Sequence, residues 1–151
     1  MNLRKAFLLG LLAYAISFGV SIIILTVLDI KPAAGDEIPR SAYILGMFAA
    51  LIITFICSVW YFKGEKASAE EGFKVGITLV LVGFLLDIVF FALTATTTPG
   101  AKEIFIEYYT NIYFWLTIAL VIVTAAVVGH FKKKTITVVK KSAKKTKKKR
   151  R

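Results

Sequence analysis

The chain has 151 residues but only one cysteine and one histidine. The single cysteine, Cys57, excludes an intrachain disulfide and a redox-active thiol pair. It therefore excludes two families of membrane proteins, because relatives of vitamin K epoxide reductase need a Cys-x-x-Cys pair and tetraspanins need a cysteine-rich outer loop. The single histidine, His130, has no second histidine to share a metal ion with. We expect neither a metal ion nor any other cofactor.

Motifs of the common enzyme classes are also missing. The sequence contains no phosphate-binding loop, no hydrolase triad pattern and no Asn-x-Ser/Thr sequon. We therefore expect a protein that is not an enzyme, and we assign no catalytic residue.

Long hydrophobic runs dominate the sequence. Hydrophobic residues make up 58% of the chain, above the usual fraction in soluble domains. A helix needs about 20 mostly apolar residues to cross the hydrocarbon core of a bilayer. Four stretches meet this requirement: 6–28, 41–62, 73–95 and 112–130. They predict an all-α, polytopic membrane protein with four transmembrane helices in two antiparallel hairpins.

The first apolar stretch also resembles a signal peptide, but it is too long for one. The apolar region of a signal peptide covers about 7 to 15 residues, whereas this stretch runs without a charge over residues 6–28. We expect it to be retained as a membrane-spanning helix.

The connections between the predicted spans are short. Residues 63–74 form a polar turn with three lysines, brief enough to make the second and third helices antiparallel neighbours. Residues 104–109, before the fourth span, are amphipathic and should lie along the membrane interface. These connections leave no room for a folded domain outside the membrane.

Residues 132–151 differ sharply in composition from the predicted four-helix domain of residues 1–131. They contain twelve cations and no acid, so charge repulsion and low hydrophobicity predict a disordered cytoplasmic tail. The residues predicted to bind an anionic surface are Lys132, Lys133, Lys134, Lys140, Lys141, Lys144, Lys145, Lys147, Lys148, Lys149, Arg150 and Arg151. Anionic lipid head groups are the expected partner. RNA, a ribosome or an acidic protein surface are the alternatives, of which RNA is less favoured because the tail lacks aromatic residues for base stacking.

The distribution of lysine and arginine predicts the orientation in the membrane. Positive residues are enriched in the short cytoplasmic flanks of membrane helices. The N-terminal segment, the turn at 63–74 and the tail fall on one side, whereas the other side carries only Lys31, Arg40 and Lys102. We expect both termini in the cytoplasm, and we expect the membrane to be the plasma membrane of a prokaryotic cell.

One acid lies deep inside a predicted span. Asp87 is about eight residues, or roughly 12 Å of helix rise, from the outer end of the third span. A charge at such depth costs at least about 2.5 to 3.5 kcal/mol, so Asp87 should be protonated, hydrogen-bonded or in contact with water. Depth alone suggests Ser17, Ser21, Thr54 and Thr117 as its candidate partners.

Two interpretations of Asp87 stay open. An ionisable residue within a span is often part of a proton or cation pathway, which would make the protein a small coupled transporter. The acid can equally hold helices together by hydrogen bonding, with no further role.

Small residues recur at helical spacing in all four spans. The pairs are Ala15 with Gly19, Gly46 with Ala50, Gly72 with Gly76, and Ala125 with Gly129. Such pairs let helix backbones approach closely. We expect them to pack within the chain's own bundle, and a contact in a homo-oligomer is the alternative.

The third span opens with Glu71-Gly72, repeats glycine at Gly76 and carries Leu86-Asp87. In this helix and in its four-span layout, the chain resembles a group of small, uncharacterised four-helix membrane proteins of bacteria and archaea. That group has no settled activity to carry over, and the strongly basic tail departs from it. The small multidrug transporters share the size and the number of spans, but their membrane glutamate belongs to the first helix, which here has no acid.

Overall fold

The structure is a computed structural model that describes residues 1–30, 39–95 and 100–149, with side chains described through residue 133. In this part of the chain all regular structure is helical: α1 Leu3–Val27, α2 Arg40–Tyr61, α3 Ala69–Thr94, α4 Ala101–Thr110 and α5 Ile112–Lys149. Four segments are long and apolar enough to span a membrane, namely α1, α2, α3 and Ile112–Lys133 of α5. The predicted all-α, four-span fold class is confirmed.

The four long helices form a ring in the order α1, α2, α5, α3, in which each helix packs against the next and α3 packs against α1. The most extensive contact is between α3 and α5, α2 also packs against α5, and α1 packs against both α2 and α3. Among the described residues, α2 and α3 touch each other little. The short turn between these two helices makes them antiparallel, as expected, but they lie across the bundle from each other rather than side by side.

Glycines explain why α3 packs against α5. A Cβ atom on Gly72 would overlap the backbone carbonyl of Ala125, and one on Gly76 would lie 2.8 Å from the Cα atom of Ile122. The two backbones therefore approach in a way that only glycine permits on the α3 side. This close fit, rather than the length of a loop, decides which helix α3 has beside it.

The small-residue pairs on α1 and α2 behave differently. Within the described structure, nothing lies within 4 Å of the position that a Cβ atom on Gly19 or Gly46 would occupy. Packing within the bundle thus accounts for the small residues of α3 and α5, and it does not account for these two glycines.

A polar cluster around Tyr61 joins the first residues of α1 to α2 and α3. Tyr61 is fully buried, and its hydroxyl accepts the backbone N–H of Asn2 at 2.9 Å and donates to Oε1 of Glu71 at 2.8 Å. The ammonium group of Lys5 donates to the carbonyl oxygens of Tyr61 and Lys63, at 2.6 and 2.8 Å. We call this end of the bundle the basic end, and the opposite end, where α1 and α3 finish, the Asp87 end.

At the basic end, α5 continues as a helix through Lys149, whereas we expected disorder from residue 132. No proline or glycine interrupts residues 130–149, and lysine and alanine are good helix formers. Lys132 is half-buried and Lys133 is exposed. The other ten cations predicted to bind an anionic surface lie outside the described side chains.

Candidate functional site

Asp87 receives hydrogen bonds from two tyrosines on two other helices. Its position on α3 is about two turns, or roughly 10 Å, before the helix ends at Thr94. Tyr14 of α1 donates its hydroxyl to Oδ1 at 2.8 Å, and Tyr109 of α4 donates to Oδ2 at 2.8 Å. Both carboxyl oxygens are therefore hydrogen-bonded, and this half-buried side chain links three helices.

The ring of Tyr14 packs on α3 beside Gly83, one turn before Asp87. A Cβ atom on Gly83 would lie 3.9 Å from this ring, an ordinary van der Waals distance, so the ring lies along the face of α3. Phe18, one turn further along α1, stacks on Tyr14 and meets the edge of Phe90. These contacts hold the Tyr14 hydroxyl at the depth of the carboxyl group.

The short helix α4 brings Tyr109 to the same carboxyl group. Gly100 precedes α4 with φ 76°, a left-handed conformation that costs glycine little. Phe105 then stacks on Phe91 of α3, with ring centroids 4.2 Å apart, and Tyr109 meets Phe84 edge to face at 5.5 Å. Aromatic contacts and one hydrogen bond together hold α4 against the end of α3.

The hydroxyl of Tyr109 stays protonated at physiological pH. Burial and then the hydrogen bond to Asp87 raise the pKa of Tyr109 well above its usual value. A neutral hydroxyl can donate one hydrogen bond and can also accept. The two tyrosines can therefore satisfy an ionised Asp87 by donating to both oxygens, or a protonated Asp87 if one of them reverses and accepts.

Asp87 also borders a cleft of about 420 Å³ between α3 and α4. This volume is in the range of small-molecule sites, which combine apolar walls with a few polar groups. Among the described residues that line the cleft, Asp87 is the one that carries a charge. The other lining residues are mostly aromatic: Phe90, Phe91, Phe105, Tyr108 and Tyr109, with Thr94, Ala101 and Ile104.

The four partners that depth suggested for Asp87 lie elsewhere. Ser17, Ser21 and Thr117 line another cavity of about 290 Å³, formed by α1, α2 and α5 together with Tyr108 of α4, which also borders the cleft beside Asp87. There the Ser21 hydroxyl donates to the carbonyl oxygen of Ser17 at 2.9 Å, and the Thr117 hydroxyl donates to that of Tyr113 at 2.7 Å. Thr54 is buried within α2. The structure thus gathers three of the four in one cavity, but not around the acid.

Both tyrosines were overlooked at the sequence level for a physical reason. Depth along a span suggested short polar side chains at the level of Asp87, whereas the hydroxyl of a tyrosine lies far from its own Cα atom. Tyr109 also belongs to α4, outside the four spans. The available signal was Tyr14, the one tyrosine in the first span, whose long side chain carries its hydroxyl further than those of Ser17 and Ser21.

The chain matches no protein-family model, no curated protein and no solved structure. Among the described residues, no three His, Cys, Asp or Glu side chains come together as metal ligands. The arrangement around Asp87 and the distribution of charge are therefore the grounds for a function.

Proposed function

We propose that this multi-pass membrane protein is a small, non-enzymatic transporter that binds a proton or another cation at Asp87. The observation that carries the proposal is the pair of tyrosine hydroxyls on the two oxygens of an acid within a span. A hydroxyl can donate or accept, so this environment supports both protonation states of the carboxyl group without leaving a buried polar atom unpaired.

A purely structural role explains less of the geometry. Hydrogen bonding between helices needs only an acceptor for Tyr14 and Tyr109, and an amide at position 87 would provide one without the cost of an acid in the membrane. It also needs no open space, whereas Asp87 borders a cleft of about 420 Å³. An acid with two reversible partners and a cleft beside it favours exchange with a ligand.

The link between cation binding and movement would run through α4. In the described structure, α4 is held against α3 and α5 mainly by side-chain contacts between aromatic rings, and one of its polar attachments is the bond from Tyr109 to Asp87. Protonation of Asp87, or a cation beside it, changes what Tyr109 can bond to. The occupancy of the site would thereby bias the position of α4 over the Asp87 end of the bundle.

Proton flux into proteoliposomes tests the proposal. After an acid pulse, a trapped pH-sensitive dye should report faster acidification in vesicles with the protein than in empty vesicles. Asp87→Asn should abolish the difference, whereas Ser21→Ala, which removes a hydroxyl bonded to the Ser17 carbonyl oxygen and not to Asp87, should preserve it. Equal flux in the wild type and Asp87→Asn would contradict the proposal, and so would a folded wild type that adds nothing to the empty-vesicle rate.

A second role belongs to the basic tail, which we propose engages anionic lipid on the cytoplasmic side. The supporting observation is that the spanning segment of α5 ends on Lys132 and Lys133, at the end of the bundle that also carries Lys5 and Lys63. Each cation near an anionic surface contributes up to about 1 kcal/mol, and the effect fades within a Debye length. This role is compatible with the first, since the two sites lie at opposite ends.

Liposome binding by a peptide of residues 132–151 tests the role of the tail. Binding should rise with the fraction of anionic lipid, fall at high salt and weaken when Ser142 or Thr146 carries a phosphate. Equal binding to neutral and anionic liposomes would exclude the electrostatic interpretation. Stronger binding to RNA than to anionic liposomes at the same salt concentration would instead favour a nucleic-acid partner.

A further inference from the structure

We propose that the cleft between α3 and α4 binds an organic ammonium ion, with the cationic group beside Asp87 and the apolar part against the aromatic walls. The ligand class rests on the proposed role of Asp87 as a cation site, but it can be tested without any transport assay. The grounds are the charge, the aromatic lining and the size of the cleft.

The charge of the cleft favours a cation over an anion or a neutral molecule. Asp87 is the one charged residue among the described residues that line it. The adjoining helix α4 carries two acids, Glu103 and Glu107, against one base, Lys102. A ligand anion would be repelled by the carboxylate, and among the described side chains of the lining it would find only hydroxyl groups to bind it. A neutral ligand can hydrogen-bond to the carboxylate but gains no attraction between opposite charges.

The described side chains that line the cleft offer fewer oxygen atoms than Mg²⁺ or Ca²⁺ usually binds. Ions such as Mg²⁺ and Ca²⁺ take about six to eight oxygen ligands. The side chains that line the cleft offer one carboxyl group, from Asp87, and the hydroxyls of Thr94, Tyr108 and Tyr109. Two of the ligating positions on the carboxyl group are already occupied by tyrosine hydroxyls. A large, weakly hydrated cation needs fewer such ligands.

An organic ammonium ion can be bound by aromatic rings in place of oxygen ligands, and the cleft is lined with such rings. A cation is attracted to the face of an aromatic ring, and quaternary ammonium groups are commonly recognised in this way. The ring centroids of Phe105 and Tyr109 lie 4.4 Å apart, and the Tyr109 hydroxyl bonds to the carboxyl group of Asp87. Phe90 and Tyr108 keep 48% and 39% of their surface outside contact with the rest of the described chain, so neither ring is enclosed by it.

The matched probes for this proposal are benzyltrimethylammonium and neopentylbenzene. The two molecules have nearly the same shape, but the first carries a positive charge where the second has a neutral carbon. Both are small enough for a cleft of about 420 Å³. Calorimetric titration of the full chain in lipid nanodiscs would measure their affinities. We expect the ammonium ion to bind at least about tenfold more tightly, since it alone engages the carboxylate.

Two variants and one control assign the binding to this cleft. Asp87→Asn should weaken binding of the ammonium ion by about 10- to 100-fold and leave the neutral probe unchanged. Phe105→Leu should lower the affinity for the ammonium ion by about 2- to 30-fold, because one aromatic ring is lost. Ser21→Ala, in the cavity between α1, α2 and α5, should bind both probes as the wild type does.

The comparison of the two probes on the wild type keeps the proposal falsifiable even if a variant fails to fold. Equal affinity for the charged and neutral probes would overturn it and indicate a groove that takes any apolar molecule, including a lipid chain. Failure of the wild type to bind benzyltrimethylammonium would also overturn it, as would full affinity in Asp87→Asn.

The outcome is distinguishable from that of the proposed transport. Binding of the ammonium ion without proton flux would support the ligand site and contradict coupled transport. Proton flux that depends on Asp87, without binding of the ammonium ion, would support the transporter and contradict the ligand site.

Discussion

The hydroxyl of Tyr109 lies 2.8 Å from Oδ2 of Asp87, so a residue outside the four spans completes a site within the third. This contact ties a short helix at the end of the bundle to an acid inside the membrane. The state of the acid and the position of α4 are therefore physically linked.

Removing the Tyr109 hydroxyl should loosen α4. Tyr109→Phe keeps the aromatic ring but loses a hydrogen bond to an ionisable partner, which is worth about 1.5 to 3 kcal/mol. Backbone amides of Ala101–Thr110 should then exchange hydrogen for deuterium at least about tenfold faster in nanodiscs, because local opening becomes easier.

Tyr108→Phe is the matched control, because it removes a neighbouring hydroxyl that makes neither of the two bonds to Asp87. Exchange in α4 should stay near the wild-type rate in this variant. If Tyr109→Phe leaves α4 as protected as the control does, then the bond to Asp87 does not hold this helix.

Adding a methyl group to the contact between α3 and α5 should destabilise the bundle. In Gly76→Ala the new Cβ atom would lie 2.8 Å from the Cα atom of Ile122, and overpacking of this kind typically costs about 1 to 3 kcal/mol. The temperature of unfolding in detergent, followed by circular dichroism, should fall.

Gly46→Ala provides the comparison, since its Cβ atom would meet nothing within 4 Å in the described structure. It should be neutral or stabilising by up to about 1 kcal/mol, through helix propensity. Gly46 lines the cavity that also holds Ser21 and Thr117, so a loss of stability in Gly46→Ala as large as that in Gly76→Ala would show that this cavity has no room for a methyl group.

Much of the fold follows from local sequence, because an apolar run of sufficient length has no other stable state in a bilayer. The helix bounds were predicted less accurately from the apolar runs, since the helices extend beyond these runs to polar capping residues. The third span was expected from residue 73, but α3 begins at Ala69, where the Ser68 hydroxyl accepts the backbone N–H of Glu71 at 3.0 Å. Side-by-side packing of α2 and α3 was expected from their short turn, but contact between backbones decides helix neighbours.

The site was predictable only in part. The position of Asp87 within an apolar span identified it as the residue to explain. Its partners depend on two tertiary features: the packing of the Tyr14 ring along α3 beside Gly83, and the return of α4 after Gly100. Neither feature is visible as a periodic pattern, because each involves residues far apart in the sequence.

Accessibility of single cysteines should establish the orientation. In a Cys57→Ala background, an impermeant thiol reagent added outside should label Arg40→Cys and Lys102→Cys, both exposed at the Asp87 end. Lys63→Cys and Lys66→Cys, exposed at the basic end, should react only after the membrane is permeabilised. The opposite pattern would reverse the orientation, and labelling of only one of the first two would show that the number of spans is wrong.

The central claim is that Asp87 exchanges a proton with its surroundings, which infrared difference spectroscopy can measure directly. For the protein in lipid, lowering the pH should reversibly produce a protonated-carboxyl band that is absent from Asp87→Asn and shifted in Tyr109→Phe, since the tyrosine bonds to that carboxyl group. If the spectra of the wild type and Asp87→Asn change identically with pH over the whole range in which both stay folded, then Asp87 is locked in one state. That result would contradict the account and leave the acid as a structural link between helices.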